Sequence, residues 1–295
     1  MAQPPEPIET ESPGIARGFS SSGPAIWAGL TLDRPRLMGI VNVTPDSFSD
    51  GGQFVEASAA IDQGMRLVDE GADIIDVGGE STRPRAEPVA PGEEIARVVP
   101  VIEALARAGG QVSVDTRHAE TMAAAIDAGA AIVNDVTALT GDSRSLSVVS
   151  DRKVPVVLMH MRGDPRTMQG DPRYGNVVEE IRDYLAARIA ACTEAGISPD
   201  QIAIDPGIGF GKTVDHNLAL LNGLPRLASL GRPLLVGASR KSFIGKLSRG
   251  APATERLSGS IAAALFAVRQ GASLLRVHDV AQTRQALDIW HALNA

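Results

Sequence analysis

The sequence has a single cysteine, few aromatic side chains and no long hydrophobic run. Cys192 is the one cysteine in 295 residues, so an internal disulfide is excluded, as is typical of proteins from a reducing cytoplasm. No apolar stretch is long enough to cross a bilayer, and residues 1–25 lack the apolar core of a secretory signal. We therefore expect a cytoplasmic protein without a membrane partner.

The sequence also lacks long runs of like charge. The net charge is −7, and no run of five or more like charges is present. This balance argues against nucleic acid or an anionic membrane as a partner, because both attract basic patches. It has no bearing on a local anion site.

The hydrophobic fraction of 44% suits a large core. Residues 1–25 are rich in Pro, Ser, Glu and Gly, which predicts a flexible N-terminal extension before one domain at 26–295. Residues 26–32 could form a short strand or hairpin that covers the bottom of that domain.

Eight short apolar runs recur along the domain, and each ends in a polar or glycine cluster. They cover residues 38–42, 74–79, 112–115, 132–135, 156–160, 202–205, 234–237 and 274–278. Runs that are apolar throughout are typical of parallel strands covered on their outer face. Stretches with helical apolar spacing separate many of them, for example 57–70, 93–108 and 176–195. Eight such units predict an α/β fold, a (β/α)8 TIM barrel. An open doubly wound sheet is the alternative, but evenly repeated polar strand ends favour closure.

Three of the strand ends carry a carboxylate or an amide. Asp115, Asn134 and Asp205 would face one barrel mouth, where such groups can bind a planar heterocycle through its ring N–H and amino groups. Each could instead cap the following helix, but this is much less plausible for all three together.

The last two strand ends carry groups that suit a phosphate. Ser239 and Ser242 follow strand seven, and Arg276 and His278 end strand eight. Phosphates commonly bind near the loops after these two strands in such barrels. For Arg240, a surface ion pair is an equally good interpretation. No Cys/His zinc spacing is present, whereas Asn42 beside a diphosphate would suit Mg²⁺, which prefers oxygen ligands.

The segment 205–213, DPGIGFGKT, superficially resembles a phosphate-binding loop. It fails in detail, because the position that needs the first glycine holds Pro206. We interpret its glycines as a tight turn beside a ligand and Lys212 as a solvated loop lysine. His160, at the end of the fifth run, is interpreted as structural.

Two long loops, 42–52 and 79–92, follow the first two runs and are rich in turn formers. Connections in α/β units usually span about 2–6 residues, so loops of this length at a barrel mouth are candidate lids.

The motifs together are similar to those of the dihydropteroate synthase family. Residues 38–52, MGIVNVTPDSFSDGG, closely resemble its first signature, and residues 78–84, GGESTRP, resemble its second. The family order continues through VDT at 114–116, ND at 134–135, MHM at 159–161, the 205–213 segment, GASRKS at 237–242 and RVHD at 276–279. The resemblance covers about residues 26–294.

The resemblance implies an alkyl-group transferase of folate biosynthesis. The family joins 4-aminobenzoate to 6-hydroxymethyl-7,8-dihydropterin diphosphate, which gives 7,8-dihydropteroate and diphosphate. It also implies a TIM barrel, a homodimer, Mg²⁺ at the diphosphate, and sulfonamides as competitors of 4-aminobenzoate.

Residue roles carry over onto matching positions as expectations. The pterin and diphosphate would be bound by Asn42, Thr82, Asp115, Asn134, Asp205, Lys241, Arg276 and His278, with Asn42 on the metal. The 4-aminobenzoate would be bound by Phe48, Thr82, Arg83, Pro84 and Ser242. Catalysis would involve Asp50, in the first lid, with Asp115, Asp205, Lys241, Arg276 and His278.

One departure from the family concerns Arg85, which stands where the family commonly has glycine. This difference could alter the flexibility of the second lid or its charge at the aminobenzoate mouth. Two alternatives also stay open on sequence. One is a different pterin-barrel enzyme, such as a corrinoid-linked methyltransferase, which would not need the arginine and histidine for a diphosphate. The other is a non-catalytic pterin-binding paralogue.

Overall fold

A computed structural model describes residues 25–44, 52–82 and 86–294, with residues 52–56 described by their backbone alone. The predicted extension at 1–25 falls outside this range except for its last residue. Within the described residues, no helix is both long enough and apolar enough to cross a membrane.

Eight parallel strands form the central sheet. They are β3 (Arg36–Asn42), β4 (Ile74–Gly78), β5 (Val112–Asp115), β6 (Ile132–Asp135), β7 (Val156–Met159), β8 (Ile202–Asp205), β9 (Leu235–Val236) and β10 (Leu274–Val277). Their order is β8-β7-β6-β5-β4-β3-β10-β9, and a parallel bridge between Ile204 and Leu234 joins the two ends. The sheet is therefore closed into the predicted barrel, and the open-sheet alternative is wrong.

Helices surround the barrel. They are α1 (Gly52–Asp69), α2 (Pro91–Arg107), α3 (Ala119–Asp127), α4 (Ser145–Arg152), α5 (Val177–Glu194), α6 (Val214–Asn222), α7 (Leu224–Ala228), α8 (Ser242–Leu247), α9 (Leu257–Arg269) and α10 (Val280–Asn294). The break between α6 and α7 falls at Gly223, and Pro225 lies in the first turn of α7, where a missing N–H is tolerated. Cys192 on α5 is fully buried among apolar side chains.

The barrel interior is closed at its N-terminal end by apolar side chains. A hairpin of β1 (Ile26–Trp27) and β2 (Leu30–Thr31) lies across this end. Trp27 is 1% exposed and donates its indole N–H to Gln201 O at 3.0 Å. Trp27 and Leu32 pack against one inward side chain from most strands: Met38, Ile74, Ile132, Val157, Ala203, Leu235 and Leu274. The predicted hairpin at the bottom of the barrel is confirmed.

Candidate active site

Strand periodicity places the predicted polar residues inside the barrel, above the apolar layer. Side chains two positions apart on a strand share a face, so Asp115 and Asn134 lie inward two residues beyond Ser113 and Ile132. By the same spacing, Asp205 follows Ala203, and Arg276 follows Leu274. The polar layer thus faces the C-terminal mouth, as expected for a barrel enzyme.

Arg276 joins two carboxylates from neighbouring strands at the centre of this layer. Its Nε donates to Asp76 Oδ2 at 2.6 Å, and its Nη2 donates to Asp115 Oδ2 at 2.7 Å. Asn134 Nδ2 also donates to Asp76 Oδ2, at 3.1 Å. The structure therefore brings together three predicted residues and one, Asp76, that the sequence analysis missed.

The electrostatics of this cluster follow from burial and from the arginine. Burial raises the pKa of Asp115 to about 7, against the opposing charge of Arg276, and the neighbouring Asp76 carboxylate adds to the rise. Burial alone would lower the pKa of Arg276, but Asp76 and Asp115 raise it above its usual range. The guanidinium is thus permanently charged, whereas Asp115 can change protonation near neutral pH.

On the other side of the mouth, Asp205 and Lys241 form a second charged cluster. Burial raises the pKa of Asp205 to about 6, although its Oδ1 accepts a hydrogen bond from Gly207 N at 2.7 Å. Burial and the charge of Arg276 lower the pKa of Lys241 to about 8, while Asp205 opposes this shift. Lys241 Nζ lies 4.0 Å from the centroid of the Phe210 ring, a cation–π contact.

His278 lies beside Ser239, and its imidazole is neutral at pH 7. Burial and the charges of Arg276 and Arg240 lower the pKa of His278 to about 3. Ser239 Oγ accepts from His278 N at 3.2 Å and lies 3.0 Å from Nδ1. The hydroxyl can therefore donate to Nδ1, which leaves Nε2–H free to donate to a ligand. The imidazole itself therefore supplies no positive charge at this strand end, whereas the neighbouring Arg276 does.

Arg240, the third basic residue near the mouth, is engaged elsewhere. Its Nε donates to Asp279 Oδ2 at 3.0 Å, and its backbone oxygen accepts from Arg256. The ion-pair interpretation of this residue is confirmed.

Asn42 is partly exposed at the end of β3, whose neighbour β10 carries Arg276. Within the described part of the chain, Glu80, Glu94 and His118 are the one group of three His, Cys, Asp or Glu side chains placed close enough to hold a metal ion together. The amide oxygen of Asn42 is a hard ligand of the kind that Mg²⁺ prefers, and one such protein ligand would suit an ion held mainly by phosphate oxygens and water.

The two predicted lids are only partly covered by the described residues. Thr82 is half-buried at the start of the second loop, and Ser242 is exposed at the start of α8. Four further predicted residues lie outside the described ranges: Phe48, Asp50, Arg83 and Pro84. Arg85 lies outside them too.

The base of the second loop is tied to the neighbouring strand end by a salt bridge. Arg117 Nε and Nη2 donate to the two carboxylate oxygens of Glu80 at 3.0 and 2.8 Å. Beside this pair, the buried Glu94 Oε2 accepts from the hydroxyls of Thr116 and Thr121 at 2.8 and 2.7 Å. The sequence analysis missed these contacts, because they join the segment after β4 and the start of α2 to the segment after β5 and the start of α3.

Two residues differ from the sequence-based interpretation. Lys212 is 3% exposed and is not a solvated loop lysine, because the loop folds it under the mouth. Asp76 was overlooked although a signal existed, since it is an acidic residue within the apolar run IIDVG. Charged residues are almost never fully buried unless paired, so its position within a strand could have marked it.

Comparison with known proteins decides the family. The sequence profile described as "Pterin binding enzyme" matches residues 38–278. The dihydropteroate synthase of Neisseria meningitidis serogroup B is 50% identical over 267 residues, which cover 89% of this chain and 94% of that protein. The chain belongs to the dihydropteroate synthases of the pterin-binding enzyme family.

Solved dihydropteroate synthase structures share the fold. The Xanthomonas albilineans enzyme with 4-aminobenzoic acid is 52% identical, has a TM-score of 0.86, and is matched over 91% of this chain and 97% of that one. The same enzyme in complex with 7,8-dihydropteroate is 50% identical, has a TM-score of 0.82, and is matched over 90% and 96% of the two chains. The chain is accordingly an enzyme of the transferase class to which dihydropteroate synthases belong.

Proposed function

We propose that this protein joins 4-aminobenzoate to 6-hydroxymethyl-7,8-dihydropterin diphosphate, releasing 7,8-dihydropteroate and diphosphate. The observation that carries the proposal is the polar layer inside the barrel. Arg276, Asp115 and Asn134 meet there with Asp76, opposite Asp205 and Lys241. The Xanthomonas albilineans structures with 4-aminobenzoic acid and with 7,8-dihydropteroate agree with these substrates.

The pterin would lie in this layer, above the apolar floor. Asp205 and Asp115 present carboxylate oxygens to ring N–H and amino groups, and Asn134 can both donate and accept. Lys241 would donate to the pterin carbonyl. A buried site of this kind rejects ring systems that leave its polar groups unpaired, because an unsatisfied buried group is costly.

The diphosphate would lie towards Asn42, Arg276 and His278. Arg276 supplies a fixed positive charge, and His278 donates a hydrogen bond from a neutral ring. Mg²⁺ bound at the diphosphate with Asn42 as its protein ligand would neutralise leaving-group charge. Charges placed in advance of the reaction stabilise the departing anion without reorganisation.

In the reaction, the 4-aminobenzoate nitrogen forms a bond to the pterin methylene carbon, and the C–O bond to diphosphate breaks. The electron pair of that bond leaves with the diphosphate, and the amine proton passes to solvent. The aromatic amine is already neutral at pH 7, so no general base is needed to expose its lone pair. Asp115 would offset the positive charge that develops on the methylene, and Asp50 would assist from the first lid.

The 4-aminobenzoate would bind where the lids meet α8, in contact with Phe48, Thr82, Arg83, Pro84 and Ser242. Lid closure would exclude water, which otherwise competes for the methylene cation. We also propose a cytoplasmic homodimer.

The test is direct. The protein is incubated with both substrates and Mg²⁺, and dihydropteroate and diphosphate are measured. Equal molar amounts of the two products are expected, and a sulfonamide should raise the KM for 4-aminobenzoate without changing kcat. No turnover while both substrates bind would identify a non-catalytic paralogue and overturn the proposal.

A further inference from the structure

Lys212 is a buried lysine that the proposed reaction does not use. Its ammonium group lies 2.9 Å from Phe210 O, 3.3 Å from His160 O and 3.1 Å from His160 Nδ1. Three acceptors from two chain segments thus surround one side-chain nitrogen, although the residue belongs to a loop.

The protonation of the pair is consistent with these contacts. Burial, with the nearby charges of Lys212 and Arg162, lowers the pKa of His160 to about 3, so Nδ1 can accept from an ammonium. Burial lowers the pKa of Lys212 to about 7, and Asp205 opposes that shift. As a neutral amine, Lys212 still has two N–H groups for the two carbonyls, so the link does not depend on its charge.

The link joins the loop after β8 to the segment after β7. These two segments are in close backbone contact, since a Cβ on Gly207 would lie 2.0 Å from His160 O, and a Cβ on Gly211 would lie 2.6 Å from Arg162 O. Tyr174 Oη donates to Gly211 O at 2.9 Å. Lys212 supplies the side-chain hydrogen bonds on the inner side of this contact.

The same loop holds Lys241 in place. Phe210, whose carbonyl accepts from Lys212, places its ring 4.0 Å from Lys241 Nζ. A Cβ on Gly209 would lie 3.1 Å from Lys241 Cδ, so the lysine chain runs directly over this glycine. The position of the loop therefore sets the position of the Lys241 ammonium.

We propose that Lys212 is a positioning residue: it fixes the loop after β8 against His160, so that Phe210 and Gly209 hold Lys241 towards the pterin. The part that concerns the pterin rests on the function proposed above. Lys212 itself touches neither substrate nor reacting atoms.

A double-mutant cycle separates this role from a general structural one. Lys212→Met keeps the side-chain volume and removes the donors, and Lys241→Met removes the group that Lys212 is proposed to position. Affinity for the pterin diphosphate is measured by calorimetry for the wild type, both single variants and the double variant. Lys212→Met should weaken binding about tenfold, and the double variant should bind no more weakly than Lys241→Met alone, because coupled residues are not additive.

The matched control is Lys246→Met, at an exposed lysine on α8. It should leave the affinity unchanged both in the wild type and in the Lys241→Met background. If Lys212→Met weakens binding by the same factor in the Lys241→Met background as in the wild type, Lys212 acts independently of Lys241 and the proposal is wrong.

Hydrogen exchange provides a readout that needs no ligand. Lys212→Met should speed amide exchange at residues 206–213 and leave β3 and β4 unchanged, whereas a loss of protection throughout the barrel would indicate a general structural role. If Lys212→Met does not fold, Lys212→Gln, which keeps one donor group, is taken through the same cycle. A wild type that binds the pterin diphosphate without turnover would refute the proposed function, and the cycle would still test Lys212.

Discussion

Asp76 Oδ2 accepts hydrogen bonds from Arg276 Nε at 2.6 Å and from Asn134 Nδ2 at 3.1 Å. One buried carboxylate oxygen therefore orients a cation and an amide that both face the substrate site. The other oxygen, Oδ1, makes no hydrogen bond within the described residues and is free to accept one from a bound water or ligand.

Replacing Asp76 with Asn should lower kcat/KM for the pterin diphosphate by about 30-fold or more, because Arg276 loses half of its buried charge pairing. Steady-state kinetics with each substrate varied checks this. Asp73→Asn is the control, since Asp73 also accepts hydrogen bonds from arginines but at the opposite end of the barrel. It should reduce stability and leave both KM values unchanged. Equal kinetic losses in the two variants would contradict an orienting role for Asp76.

The pH dependence of kcat/KM for the pterin diphosphate should be bell-shaped. Asp115 and Asp205 have raised pKa values of about 7 and about 6, so their acceptor forms are lost in turn as the pH falls through this range. Lys241 has a lowered pKa of about 8, so its ammonium is lost as the pH rises through 8. Since kcat/KM reports the free enzyme, both limbs should appear in it.

Two variants assign these limbs. Lys241→Arg stays charged and should remove the alkaline limb. Asp205→Asn should remove the ionisation near pH 6 and leave that of Asp115 near pH 7, so the acid limb should become shallower. An ionisation near pH 6 that came from the substrate phosphate, with its own pKa of about 6, would persist in this variant. An alkaline limb that is unchanged in Lys241→Arg would rule out Lys241 as its source.

Gly207 and Gly231 form a matched pair, because both have φ +69°. An alanine at either position carries the left-handed backbone cost of about 1–2 kcal/mol. A Cβ at Gly231 has nothing within 4 Å, but at Gly207 it would lie 2.0 Å from His160 O. Gly207→Ala should therefore destabilise the protein by at least about 2 kcal/mol more than Gly231→Ala. Urea unfolding measures the difference, and equal losses would show that the contact with His160 is not tight in solution.

The pair of Glu80 and Arg117 should control the second loop. Arg117→Met removes the cation and should raise the KM for 4-aminobenzoate by about tenfold, because a partly buried pair that orders a loop is worth on the order of 1–2 kcal/mol. Arg107→Met is the control, since Arg107 makes a similar bond to Glu103 on the exposed face of α2. It should change neither KM. A larger rise in the KM for the pterin diphosphate than in the KM for 4-aminobenzoate would show that the loop does not line the 4-aminobenzoate site.

The barrel and most of its inner polar residues could be read from the sequence because both depend on local patterns. Where an apolar strand ends in Asp or Asn, the pattern predicts that this polar side chain faces the barrel interior, as at Asp115 and Asn134. Helices α3 and α4 were not delimited in advance, since they span only nine and eight residues. The sequence also predicted the first residue of each barrel strand to within about two positions.

Contacts made by distant segments were not recoverable. Lys212 looks like a surface lysine from its neighbours, and only the approach of the segment after β7 buries it. The neutral state of His278 likewise depends on burial together with Arg276 and Arg240, which no local pattern records. The predicted roles of Asp50, Phe48, Arg83 and Pro84 stay predictions, because those residues lie outside the described ranges.

The hairpin at the bottom of the barrel has a kinetic consequence. Trp27 and Leu32 close that end with apolar side chains, so substrates and products share one opening at the other end. A molecule bound at the floor must arrive before, and depart after, anything bound above it. With the proposed substrates, that geometry would make the pterin diphosphate the first reactant to bind and 4-aminobenzoate the second, so that the apolar plug at one end of the barrel would set the order of binding at the other.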